Sequence, residues 1–182
     1  HRESRGLGDV YKRQSLLPEK SLSTELGYRL RKNNWKLSLS LFQRDAKNYI
    51  DYVVQEENEK WKATNIDAIK TKGGEFDFMT MIGSHKLSLG YAFLDDDVNG
   101  VSAILSRYTI NSRKHHISSR WGVQWSRSIN TSVSYGYAEQ ASGYNYDVVD
   151  AHICYKKNRM MFSLQANNIL NTAYTEQNNV PM

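Results

Sequence analysis

The feature that most constrains this chain is a two-residue alternation of apolar and small polar side chains, repeated about eight times between Ser21 and Asn167. Near the C-terminus Met160, Phe162, Leu164 and Ala166 share one face of an extended segment, while Met161, Ser163, Gln165 and Asn167 share the other. A period of two is the period of a β-strand, whose successive side chains point to opposite faces. The first repeat sets Leu22, Thr24, Leu26, Tyr28 and Leu30 against Ser21, Ser23, Glu25, Gly27, Arg29 and Arg31. The second sets Trp35, Leu37, Leu39 and Leu41 against Lys36, Ser38 and Ser40, and the third sets Phe76, Phe78, Thr80 and Ile82 against Glu75, Asp77, Met79 and Met81. Leu87, Leu89, Tyr91 and Phe93 then oppose Ser88, Gly90 and Ala92, and Ile117, Trp121, Val123 and Trp125 oppose Ser118, Arg120, Gly122 and Gln124. Val133, Tyr135 and Tyr137 face away from Ser132, Ser134, Gly136 and Ala138, and Val149, Ala151, Ile153 and Tyr155 away from Asp150, His152, Cys154 and Lys156.

The connections between these segments alternate short with long. Short turns fall at Asn33-Asn34, Gly83-Ser84, Arg127–Asn130 and Lys157-Asn158, with Asn supplying the positive φ that two-residue hairpins demand. Longer polar loops cover Gln55–Lys60, about Asp95–Arg113, and Glu139–Asn145. Such a chain is all-β and antiparallel. Periodicity alone fits both a soluble sandwich and a membrane barrel. No run approaches the ~18 consecutive apolar residues of a membrane helix, but a membrane barrel alternates and so keeps a soluble-looking mean hydropathy, here -0.66. The polar face favours the barrel. A sandwich carries long charges and Thr on its outer face, whereas here that face is dense in Gly and Ser, which suits a wet or plugged lumen.

The segment Ala166-Asn167-Asn168-Ile169-Leu170-Asn171-Thr172-Ala173-Tyr174-Thr175-Glu176, followed by Val180-Pro181-Met182, resembles the near-terminal signature of TonB-dependent outer-membrane receptors. Asp45-Ala46-Lys47-Asn48-Tyr49-Ile50, Thr71-Lys72-Gly73-Gly74-Glu75 and the Leu89–Phe93 run are similar to other barrel segments of that family. The resemblance implies an antiparallel transmembrane β-barrel fragment, about eight strands of a barrel that has 22 in the family. It also implies that residues 15–182 are the C-terminal part of the barrel, ending at Met182 before the closing strand. The implied function is energised uptake of a scarce, bulky nutrient of the iron-complex, haem or corrinoid class across the bacterial outer membrane. The implied partners are outer-membrane lipid, the nutrient, and the TonB energising complex, reached through an N-terminal plug region outside this chain. On this reading the strand at Ser21–Arg31 and the strand at Met160–Asn168 stand far apart with unpaired edges. Two other readings stay open: a complete passive eight-stranded barrel, whose narrow interior side chains must fill, and a soluble carbohydrate-binding sandwich.

Residues His1–Gln14 show neither strand nor helix periodicity, nor the apolar centre of a signal peptide. Their run SRGLGDVYKRQ resembles translated sequencing-adapter read-through, so residues 1–14 read as a non-native leader with no structural role. Arg2, Arg5, Lys12 and Arg13 against Glu3 and Asp9 make this leader +2 of the formal net charge of +5, leaving +3 spread along the chain without a basic stripe. That pattern argues against a nucleic-acid partner. The single cysteine, Cys154, permits no internal disulfide.

Asp95, Asp97, Asn99 and Gly100 match the opening of a calcium loop, in which alternate oxygens wrap a hard cation. The twelfth position is Ser106, which excludes a full EF-hand. These residues remain a weak calcium site or an acidic solvated loop, and calcium is the one cofactor the sequence suggests. His115 and His116 are neighbours on a strand, point to opposite faces, and cannot chelate one ion together. No spacing of Ser, His, Asp or Glu signals catalysis, so the chain does not read as an enzyme.

Overall fold

The computed structural model describes residues 16–54, 62–99, 105–106, 113–177 and 180–181. The leader His1–Gln14 and the Gln55–Lys60 loop therefore lie outside the described residues. All assigned elements are strands: β1 (Lys20–Arg31), β2 (Trp35–Val54), β3 (Lys62–Ile82), β4 (His85–Asn99), β5 (Leu105–Ser106), β6 (Arg113–Gln124), β7 (Ile129–Gln140), β8 (Asn145–Lys157), β9 (Met160–Ala166), β10 (Thr175–Gln177) and β11 (Val180–Pro181). Eight of them form one antiparallel sheet in the order β1-β2-β3-β4-β6-β7-β8-β9, with β5 attached to β2 and β10-β11 forming a separate hairpin. Apart from β5, each strand pairs with the next in sequence, as expected for a meander.

The alternation anticipated from the sequence is the alternation in space. One row of directly opposed residues runs Trp35, Thr80, Leu87, Trp121, Val133, Ala151, Ala166. The row two residues along runs Leu37, Phe78, Leu89, Ser119, Tyr135, Val149. The opposite face carries Arg29, Ser38, Asp77, Gly90, Ser118, Gly136. Among the described residues no second sheet covers the apolar face: Leu89 is 42% exposed, Trp121 47% and Leu164 72%. In these rows and beside them the buried residues are Thr80 and Val123. The soluble sandwich needs those residues packed between two sheets, so the arrangement excludes it. Among the described residues β1 hydrogen-bonds only to β2 and β9 only to β8, and both edge strands are exposed along their whole length. The sheet is open, and the closed eight-stranded barrel falls with that observation.

The short turns gather at one end and are stitched together there. Asn33 and Asn34 do not use the positive φ expected of them. Instead the Lys32 N–H donates to the Trp35 carbonyl (2.9 Å), and the Asn34 carbonyl accepts the Met81 N–H (2.7 Å) and the Thr80 hydroxyl (3.1 Å). The carbonyls of Ser84 and Ser128 likewise accept the N–H groups of Gln124 (2.9 Å) and Lys156 (2.8 Å). Each turn thus hooks onto the next hairpin, carrying the ladder to the end of the sheet. Gly83 (φ 60) and Asn158 (φ 53) do supply the left-handed turn residues.

The ladder is sheared. Relative to the Trp35 row, the last apolar-face residue before the turn end lies two residues above on β1 (Leu30) and six below on β9 (Met160), an offset of eight residues over seven strand steps. With ~3.3 Å per residue and ~4.8 Å between strands, turns lying in one plane require strands tilted by roughly 40° from its normal. The far border of the apolar face descends in parallel. The outward positions become polar at Gln43, Lys72, Asp95, His115, Glu139 and Asp147 on six consecutive strands of the sheet. On β4 the band between the borders is nine residues, His85–Phe93, about 23 Å once foreshortened by the tilt, close to the ~25 Å apolar belt of membrane barrels. β2 and β3, at 20 and 21 residues, run well past this belt on the long-connection side.

If this belt faces lipid, Leu89→Arg at its mid-depth costs about 2–4 kcal/mol in urea titrations of the full-length protein in phospholipid vesicles, while Ser88→Arg on the other face costs under about 1 kcal/mol.

Candidate functional site on the concave wall

The polar face holds a cavity of about 870 Å³ that extends from β1 to β8. A cavity over the middle of a single sheet needs the sheet to curve around it, so the polar face is the concave one. Its floor is made of small residues, Ser88, Gly90, Ser118, Gly122, Ser134 and Gly136. A Cβ on Gly90 would meet Ser118 Oγ at 2.7 Å and Asp77 Oδ1 at 3.2 Å, whereas one on Gly136 would meet nothing within 4 Å. Five cations, Arg29, Arg31, Lys36, Lys86 and Arg120, and two carboxylates, Asp77 and Asp150, line the same space. This corrects the reading of the charge as scattered. The residues are far apart in sequence, and only strand parity and register bring them to one face, odd positions on β1 and even positions on β2, β4 and β6.

Above the belt, the same face is capped by packing. Ala46 and Ile69, each 3% exposed, form a small core with Tyr49 and Val98. β5 returns from the β4 side to pair with Val53-Val54 of β2. Asn48, at φ 53, interrupts β2 beside Tyr49. Burial, and then the Asp51 carboxylate, pushes the Tyr49 hydroxyl above its usual range, which keeps it a proton donor. The segment before β1 is pinned here too, because Asn65 Oδ1 accepts the Leu17 N–H (2.8 Å) and Asn65 Nδ2 donates to the carbonyls of Leu17 (3.0 Å) and Asn48 (2.7 Å).

The Asn-rich segment that follows β9 is an ordered clasp. Asn168, at φ 49, donates its N–H to Asp150 Oδ1 (2.8 Å), and its side chain exchanges two 2.9 Å hydrogen bonds with the backbone of Thr172. The Ile169 N–H donates to the Val149 carbonyl (2.8 Å), so the clasp takes over the edge of β8 where β9 stops. Tyr174 stacks on the buried Tyr146, ring centroids 4.6 Å apart, and the Tyr144 hydroxyl donates to the Ala173 carbonyl (3.4 Å). The motif therefore positions three tyrosines at the long-connection end.

Asp95, Asp97 and Asn99 do not open a loop. They extend β4, opposite Lys72, Lys70 and Ala68 of β3, and the intervening Asp96 turns to the other face to accept the Thr71 hydroxyl (2.6 Å). Gly100, which completes the calcium-loop pattern, lies outside the described residues. Among the described residues no group of three or more His, Cys, Asp or Glu side chains stands close enough to share a metal ion. His115 lies on the apolar face, sharing a 2.9 Å hydrogen bond with the Tyr91 hydroxyl, and His116 lies opposite Ala92 and Ala138 on the polar face. Buried Cys154 also lies on the polar face, opposite Asn130 and Ser163. Aromatic donors near both borders of the belt find protein partners: Trp121 Nε1 donates to His85 Nδ1 (3.1 Å), and the Tyr137 hydroxyl to Glu139 Oε2 (3.0 Å).

An open, sheared antiparallel meander, with an apolar belt outside and a polar trough inside, is a section of the wall of a β-barrel. The chain belongs to the TonB-dependent receptor family: the model described as "TonB dependent receptor-like, beta-barrel" matches residues 5–171. Solved structures agree in fold. The FrpB iron transporter from Neisseria meningitidis (F3-3 variant) superposes with a TM-score of 0.70 at 15% identity, over 92% of this chain and 30% of its own. The ferric-catecholate import receptor Fiu from E. coli K12 gives 0.64 at 18%, over 90% and 25%, and the copper transporter OprC gives 0.72 at 13%, over 90% and 27%. The chain thus spans about 25–30% of the length of these structures. No curated protein matches its sequence.

Two substitutions test this wall. A Cβ on Gly73 would collide with the Phe42 ring and stand 2.8 Å from the Phe93 carbonyl, so Gly73→Ala is expected to destabilise the folded barrel by about 1–3 kcal/mol, while Gly136→Ala stays within ~0.5 kcal/mol. Asn168→Ala removes both side-chain bonds of the clasp at a left-handed position. Hydrogen exchange at Ile169 and Thr172 should rise, with a stability loss of about 1–3 kcal/mol; unchanged exchange would show that the clasp does not depend on Asn168.

Proposed function

We propose that this chain forms part of the barrel wall of an outer-membrane receptor that imports a scarce, bulky nutrient of the iron-complex, haem or corrinoid class by an energised mechanism. The observation that carries this reading is the concave trough, broad, small-floored and polar, on a sheet that β1 and β9 leave open. A barrel closed from further strands is wide, and a wide barrel needs its lumen blocked when no substrate passes. The FrpB and Fiu structures, named for iron and ferric-catecholate import, support the substrate class. The energising TonB complex would act through the part of the receptor that fills this lumen, and the apolar belt would sit in outer-membrane lipid. The reading is of a transporter, with no chemistry on the substrate.

A Gram-negative strain lacking its other iron receptors and carrying the full-length protein tests this. On a ferric chelate as sole iron source it should grow, and deleting the energising complex should abolish that growth. Growth that survives the deletion would mark a passive pore and defeat the proposal.

A further inference from the structure

The end of the sheet where the short turns gather carries charge of one sign. Its four stretches, residues 29–38, 79–88, 121–132 and 154–163, hold nine Lys and Arg side chains and no Asp or Glu. The long-connection end is mixed, for there Lys72 stands opposite Asp95 and Lys70 opposite Asp97. On the outward rim of the short-turn end the cations gather on two neighbouring turns. Arg127 sits between β6 and β7, Lys157 and Arg159 flank the turn between β8 and β9, and all three are exposed. The Ser128 carbonyl accepts the Lys156 N–H (2.8 Å), which fastens one turn to the other. β6 and β7 are each paired on both sides, so Arg127 stands away from the open edges of the sheet.

The apolar face ends at the same level. Lys157 lies directly opposite Met160, and Tyr155 opposite Phe162 and Ile129. Trp125, 65% exposed, donates its Nε1 to Thr131 Oγ1 (2.8 Å) beside Arg127. We infer that this rim, Arg127 with Lys157 and Arg159, binds the headgroup of an anionic phospholipid in the leaflet on the short-turn side. The inference rests on the reading above that the apolar belt sits in lipid, and adds to it a preference for headgroup charge. A phospholipid needs cations for its phosphate and apolar surface for its chains at adjoining levels, and the rim supplies both. Trp and Tyr sit at headgroup level, and long basic side chains at the edge of an apolar surface extend their charge toward the headgroups. A free phosphate uses the cations alone, whereas a phospholipid also covers Trp125, Tyr155, Met160 and Phe162, all exposed on the apolar face. In outer-membrane barrels the short turns are periplasmic, so the bound lipid belongs to the periplasmic leaflet.

The test reconstitutes the full-length receptor in phosphatidylcholine vesicles that carry a trace of photoactivatable phosphatidylglycerol or photoactivatable phosphatidylcholine, and maps the labelled peptides by mass spectrometry. Phosphatidylglycerol should label residues 125–129 and 155–162 roughly tenfold more than phosphatidylcholine does, because each basic side chain at the surface favours anionic lipid. Raised salt should shrink that preference by screening. R127Q/K157Q/R159Q should bring the two lipids to parity while keeping the phosphatidylcholine label, which reports that the variant is inserted. The wild-type comparison needs no substitution and stands whether or not the variant folds. Equal labelling of the wild type by the two lipids overturns the headgroup preference and leaves the transporter reading intact, and a preference that survives in the variant overturns the assignment to these three residues. Phosphatidylglycerol labelling that inorganic phosphate abolishes at matched ionic strength overturns it in favour of a free-phosphate site. A belt labelled by neither lipid overturns this inference together with the lipid-facing reading on which it rests.

Discussion

Backbone hydrogen bonding is the constraint on which the rest of this structure depends. Water cannot satisfy N–H and C=O groups inside hydrocarbon, so a strand that crosses it must find partners along its whole length. The chain meets this by unbroken nearest-neighbour pairing from β1 to β9. The turn carbonyls of Asn34, Ser84 and Ser128 extend the pairing past the strand ends, and the Asn168 clasp covers the edge of β8 that β9 leaves. What stays open is the outer edge of β1 and of β9, each exposed along its length. Exposed edges of that kind recruit further strands, which is why the curved sheet has the character of a wall section.

Shear converts this ladder into the geometry of a tilted barrel wall. An offset of about one residue per strand tilts the strands, and the same tilt accounts for two independent features, the descending line of short turns and the descending line from Gln43 to Asp147 where the apolar face ends. Two parallel borders at a bilayer-like separation come from where the side chains change character along a fixed register. A soluble sheet has no reason to keep its borders parallel across six strands.

The inner wall obeys different rules. Leu, Trp and Tyr stand on the outer face, while the inner face keeps small residues and charges. Glycine has two roles there: Gly73 makes room for the Phe42 ring, and Gly136 leaves open space in the floor of the trough. The charged residues are distributed asymmetrically, with three cations on the β1-β2 hairpin, which gives the wall an orientation as well as a shape.

Much of this was legible in the sequence because the side-chain period of a strand is two and one face keeps apolar residues at that period. The eight main strands, their order, the outward set from Leu37 to Leu164 and the inward set of Ser38, Gly90, Arg120 and Gln165 all follow from local alternation. Where alternation is absent the sequence is silent or misleading. Asp95–Asn99 reads as a loop because four acidic or amide residues have no apolar partner face, yet pairing with Thr71, Lys70 and Lys72 holds it in β4 above the belt. The Asn33-Asn34 turn has left-handed formers but gains its stability from Met81 and Thr80 of another strand. The basic cluster on the concave face was invisible for the same reason, since Arg29, Lys86 and Arg120 become neighbours only through register. The sequence by itself determined which side chains share the apolar face of each strand, because that choice is made residue by residue. Only the tertiary structure decided the shear, the belt borders and the company the charges keep, because these depend on how far each strand slides along the next.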